Sequence, residues 1–77
     1  MDTKQELIEL VAQYRNVPAE DIDPETPLRD MGLDSLDIAE LLQMIEDELH
    51  VIVEPTPELD NIERLAAYIE EQEKEQA

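Results

Sequence analysis

Asp30-Met31-Gly32-Leu33-Asp34-Ser35-Leu36-Asp37 holds the only glycine and the only serine among the chain's 77 residues. A helical pattern leaves directly from it. From Leu36 to about Leu49, the residues Ile38, Leu41, Leu42, Ile45 and Leu49 fall on one apolar stripe. The opposite face carries Asp37, Glu40, Gln43 and Asp47, with Ala39 and Glu46 at its margin; Leu36 and Met44 are its two large apolar exceptions. Asp34 stands just ahead of the first turn and is expected as its N-cap, because its carboxylate can accept a backbone N–H from that turn. Ser35 then takes the first helical position with its hydroxyl turned outward.

Toward the N-terminus, residues 16–33 carry Pro18, Pro24 and Pro27 together with Asp21, Asp23 and Asp30. Proline fixes φ and withdraws a donor, so a long loop is expected, with a short helical turn near Ala19–Ile22. Val17, Ile22, Leu28, Met31 and Leu33 are spaced along it as pins onto a core. Asp21-Ile22-Asp23-Pro24-Glu25 resembles the start of a calcium-binding loop. Such a loop needs glycine and glutamate further on, where this chain has Thr26 and Gly32, so no metal site is expected. Ahead of the loop, Thr3–Arg15 reads as a helix. Leu7, Leu10, Val11 and Tyr14 share one face, and Gln5, Glu9 and Gln13 the other. Thr3 with Glu6 reads as a capping box, and Asn16 followed by Pro18 as the stop.

Toward the C-terminus, His50–Glu54 is short and β-branched and reads as an extended, partly buried connection. Pro55, Thr56 and Pro57 break the chain, and a short helical turn is expected at Pro57–Leu59. Asp60 or Asn61 caps the last helix, Asp60 with Glu63 forming a further capping box. Ile62, Leu65, Ala66 and Ile69 give that helix its buried stripe, with Tyr68 beside it, and residues 70–77 are expected to fray. The sum is one all-α domain over residues 1–77. It is a small up-and-down bundle of three main helices plus one short helix, with a long loop between the first two.

Composition narrows the function. With 22 Asp and Glu against 5 Lys and Arg, the net charge is -17. Nucleic acid is excluded as a partner, because phosphates need clustered cations. Basic protein patches are favoured instead. Disorder is set aside, since the 42% of residues that are apolar are periodic. Without cysteine there is no disulfide, thiolate nucleophile or cysteine metal site. No apolar run approaches the ~20 residues of a membrane span, and the start lacks the pattern of a signal peptide. A cytoplasmic monomer is expected. An enzyme is not: His50, the sole histidine, stands at the far end of the helix that begins at Ser35, roughly 22 Å away at ~1.5 Å per residue. What remains is a serine at a helix N-terminus, where free N–H groups and the macrodipole favour an anion. A phosphate or phosphodiester on its hydroxyl would be stabilised there, which suggests a carrier. An ordinary exposed serine is the plainer alternative.

The stretch from Asp30 to Asp37 resembles the attachment motif of acyl carrier proteins, an Asp-Ser-Leu core after a glycine-containing loop. Glu40-Leu41-Leu42 and Glu46-Asp47-Glu48 are similar to that family's second helix, and the likeness extends over nearly the whole chain. The resemblance implies that Ser35 carries 4′-phosphopantetheine, whose thiol holds acyl groups as thioesters, and that the chain is a substrate of a phosphopantetheinyl transferase. It implies a partner face of Asp34, Leu36, Asp37, Ala39, Glu40, Gln43, Glu46 and Asp47. That face would be read by acyl-transferring, condensing and reducing enzymes with basic patches. It implies an acyl cleft drawn from Ile38, Leu41, Leu42, Ile45, Val53, Leu59, Ile62 and Ala66, residues that also read as plain core. Two places depart from the fatty-acid pattern. The proline after the second helix is displaced to Pro55, and residues 56–61 resemble the lead into the last helix of some polyketide or peptide-synthetase carriers. Fatty-acid or related biosynthesis is the expected pathway. A polyketide, amino-acid or other specialised cargo is an alternative, as is an acidic interaction module never modified on Ser35.

Overall fold

The computed structural model describes residues 2–53 and 59–76, and the side chains of all of these but 73–76. Three α-helices account for most of them: α1, Thr3–Arg15; α2, Ser35–Leu49; and α3, Ile62–Gln76. The expected loop between α1 and α2 contains two short 3-10 turns, Ala19–Asp21 and Leu28–Met31. The short helix expected at Pro57–Leu59 falls on residues that lie, Leu59 apart, outside those described. Among the described residues the bundle therefore has three α-helices, not four.

Each helix boundary has a local cause. Asp2, not Thr3, caps α1: its Oδ1 accepts the Lys4 N–H at 3.3 Å, and its carbonyl accepts the Glu6 N–H at 3.0 Å. The expected Thr3–Glu6 box is replaced because a carboxylate stands one residue earlier in extended conformation. An ionised acceptor makes the stronger bond and also meets the helix dipole. At the other end Asn16 is left-handed (φ 61, ψ 47). Its N–H donates to the Gln13 carbonyl and that of Val17 to the Ala12 carbonyl, which together form a Schellman stop. α3 is capped by Asn61, whose Oδ1 accepts the Arg64 N–H at 2.8 Å. Asp60 instead meets the Arg64 guanidinium at 3.5 Å, so the expected Asp60–Glu63 box does not form. α3 runs past Glu70 to Gln76, where fraying was expected. Its Glu, Gln, Lys and Ala are good helix formers, and Gln72 Nε2 donates to the Ile52 carbonyl at 2.8 Å.

α1 packs against both other helices. Tyr14, near its end, bonds to Asp37 and Glu40 at the start of α2. Glu6, Glu9, Leu10 and Gln13 line a groove with Glu48 and Leu49 at the end of α2. The two helices therefore run antiparallel. Lys4 pairs with Glu63, which brings the starts of α1 and α3 together. At the centre of the core lie Leu7, Val11, Leu28, Leu41, Ile45, Ile62, Leu65 and Ile69, all essentially inaccessible. Each such side chain contributes about 1.5–3 kcal/mol by leaving water.

The loop is held, not loose. Ile22, Leu28 and Leu33 are buried in the core, with Val17 and Met31 partly so. Its backbone is tied to the lead into α3. Leu28 N–H donates to the Asp60 carbonyl at 2.8 Å, and Glu63 N–H donates to the Pro24 carbonyl at 3.1 Å. Asn61 Nδ2 adds a bond to the Glu25 carbonyl at 3.3 Å. The loop thus satisfies one of the donors that a helix start leaves open. After α2, Val51 and Val53 are buried while Ile52 is 73% exposed, the alternation of an extended segment. No helix of the described residues is long and apolar enough to cross a membrane.

Candidate functional site

The second 3-10 turn ends on Gly32 at φ 84, ψ 16, with its N–H donating to the Arg29 carbonyl at 3.2 Å. A Cβ at Gly32 would meet nothing within 4 Å. Glycine is needed here for its backbone angle, not for space. The left-handed step lets Leu33 drop into the core and brings Asp34 out in extended conformation at the head of α2.

Asp34 and Asp37 then close a reciprocal capping box. Asp34 Oδ1 accepts the Asp37 N–H at 2.9 Å, and Asp37 Oδ2 accepts the Asp34 N–H at 3.1 Å. The Asp34 carbonyl accepts the Ile38 N–H at 2.9 Å and opens the helical ladder. Of the four donors a helix start leaves open, the box takes two. The remaining two belong to Ser35 and Leu36, at the helix end favoured by an anion. Ser35 is exposed at the first helical position, and Leu36 beside it is 67% exposed. An exposed serine on a capped first turn, with first-turn N–H groups to spare, fits a covalently attached phosphodiester.

Tyr14 reaches this turn from α1. Its hydroxyl lies 3.0 Å from Asp37 Oδ1 and 2.8 Å from Glu40 Oε2, one proton between two carboxylates. The phenol is held well above its ordinary pKa, first by the hydrogen bond to Glu40, then by desolvation and the bond to Asp37. Asp37 is held below the usual carboxylate range, first by the Asp34 backbone N–H and then by the Tyr14 hydroxyl. Sequence reasoning placed Tyr14 on the buried stripe of α1 and missed this contact. The available signal was its hydroxyl, which needs a partner when the ring packs against a core.

The other expected site residues divide. Ala39, Glu40, Gln43 and Asp47 are exposed along α2 together with Asp34 and Leu36. Glu46 is half-buried, and its Oε2 accepts the Val53 N–H at 3.0 Å, so it holds the segment after α2 against the helix. Leu41, Leu42, Ile45, Val53, Ile62 and Ala66 are buried in the packed core, with Ile38 and Leu59 partly buried against it. The groove between α1 and the end of α2 contains none of them. His50 is the left-handed residue that ends α2 (φ 56, ψ 46), at the opposite end from Ser35.

Residues 5–69 match the family model described as the phosphopantetheine attachment site. The chain is 43% identical over 74 residues to the acyl carrier protein of Saccharopolyspora erythraea, covering 91% of this chain and 77% of that one. It is 32% identical over 66 residues to the acyl carrier protein of Streptococcus thermophilus, covering 86% and 89%. Against that of Syntrophus aciditrophicus it is 35% identical over 71 residues, covering 91% and 88%. No solved structure matches significantly. The prosthetic group of such a domain is 4′-phosphopantetheine, and the relatives are carriers rather than catalysts. With a helical bundle, an exposed serine at a capped helix start and a family match over residues 5–69, the chain belongs to the acyl carrier proteins of the phosphopantetheine attachment family.

Proposed function

We propose that Ser35 carries the 4′-phosphopantetheine and that the exposed face of α2 presents it to enzymes of fatty-acid or related biosynthesis. The observation that carries the assignment is the exposed Ser35 on the first turn of a helix whose capping box leaves two N–H groups for an anion. When bound, the group supplies a thiol that holds the acyl chain as a thioester. The chain's own residues do the rest. Asp34 and Asp37 fix the turn, and Ser35 offers its hydroxyl to a phosphopantetheinyl transferase that uses coenzyme A. Leu36 gives partners an apolar anchor, and Glu40 and Asp47 give them charge. A protein of net charge -17 attracts enzymes with basic patches and speeds their encounter. Ile38, Leu41, Leu42, Ile45, Val53, Leu59, Ile62 and Ala66, buried or partly buried, are the candidates for an interior that opens around an acyl chain.

The test is an intact mass after incubation with coenzyme A and a transferase, beside a Ser35→Ala control. We expect one added phosphopantetheine on the parent chain and none on the control. Addition to the control, or no addition to either with transferases of different breadth, overturns the assignment.

A further inference from the structure

A tyrosine hydroxyl from another helix ends on the cap of α2, a contact that attachment at Ser35 does not require. The connections run in series. Tyr14 Oη meets Asp37 Oδ1 at 3.0 Å, and the second oxygen of the same carboxylate, Oδ2, accepts the Asp34 N–H at 3.1 Å. Asp34 returns the bond to the Asp37 N–H at 2.9 Å. Ser35 lies inside this ring of bonds, between its two aspartates. The same hydroxyl also meets Glu40 Oε2 at 2.8 Å, one turn further along the exposed face. In a local capping box the Asp37 side chain would be free to leave for water, since the contact is exposed. The Tyr14 hydroxyl closes that escape from outside the helix. It also sets one proton between two like charges that would otherwise repel.

We infer that Tyr14 is a positioning residue for the chemistry at Ser35: from α1 it locks the Asp34–Asp37 box and holds Asp37 and Glu40 together on the face that partners read. This rests on Ser35 being the attachment residue. Tyr14 acts through Asp37 and Asp34 and not on the serine itself. Its effect is to lower the disorder that a transferase must remove when it docks on the first turn, the general advantage of a preorganised site.

The test is Tyr14→Phe, which keeps the ring packed and every carboxylate charged and removes one hydroxyl. Two readouts are needed. Amide exchange at Asp34 and Asp37 should speed by about fivefold, the scale of one lost hydrogen bond, while the amides of Leu65 and Ile69 in α3 change less. The transferase kcat/KM should fall by about the same factor, with its ionic-strength dependence unchanged because no charge has been removed. Parental exchange with parental modification overturns the inference. So does exchange that rises equally in α3, which makes Tyr14 a general stabilising contact. A parent chain that is never modified overturns the reading of Ser35 instead, and the exchange measurement still decides whether Tyr14 locks the turn.

Discussion

Gly32 shows how one backbone angle sets a site. Its φ of 84 lies where a side chain is strained, yet a Cβ there would touch nothing within 4 Å. The cost of replacing it is therefore conformational. Gly32→Ala is expected to lower stability by about 1–2 kcal/mol, the usual cost of a left-handed alanine. Gly32→Asn should recover a good part of that, because asparagine visits this region readily. Chemical denaturation of the three chains checks it: a variant with Asn as destabilised as the one with Ala would mean that space, not angle, selects glycine. The sequence showed a unique glycine before the serine. It did not show which of the two reasons applied, since that depends on what stands nearby.

At the scale of elements, α2 is the helix whose start does the work, and its start is built twice. The Asp34–Asp37 box is local, four residues closing on themselves. The Tyr14 contact is tertiary and depends on α1 lying antiparallel beside it. Asp34→Ala removes the cap and should cost about 1 kcal/mol. For a domain of this size that is a fall of roughly 4–8 °C in melting temperature. An unchanged melting curve would show that the tertiary contact alone holds the turn. Thr3 has the right chemistry for a cap, but Asp2 occupies that role; of the two caps expected for α3, Asn61 takes the position and Asp60 does not. A hydroxyl or carboxylate pattern in sequence marks a helix start to within a residue, and the backbone angles decide which side chain faces the open N–H groups.

At the scale of the whole molecule, charge opposes the fold. A thin apolar core, with Leu7, Leu41, Ile45 and Leu65 among its fully buried members, holds together a chain of net charge -17. Among the described cations, Lys4 pairs with Glu63 across two helix starts, and Arg64 pairs with Asp60 within one. Lys4 is held above its ordinary pKa by that hydrogen bond and by the Glu63 charge. The remaining acids repel. Magnesium or calcium in the millimolar range is expected to raise the melting temperature by several degrees, more than sodium at matched ionic strength, because a divalent ion is concentrated more strongly in the same negative field. Equal effects of the two salts would reduce the gain to simple screening. No rise with either would mean that self-repulsion is not a limiting cost.

The sequence alone determined the three helices, the long loop, its apolar pins and the exposed serine at the head of α2. These follow from local rules: apolar spacing sets the buried faces, prolines disfavour a long helix in residues 16–33, and Asp34 offers its carboxylate to the turn beside it. The tertiary structure decided what these rules cannot reach. It tied Leu28 to Asp60 and Glu63 to Pro24, so that the loop helps to start α3. It turned Glu46 toward Val53, taking into the chain's own backbone a carboxylate that the sequence had offered to partners. It brought Tyr14 to Asp37 and Glu40 across 23 and 26 residues of chain. Contacts between residues so far apart depend on how helices are oriented against one another, and periodicity fixes each helix's buried face but not its neighbour.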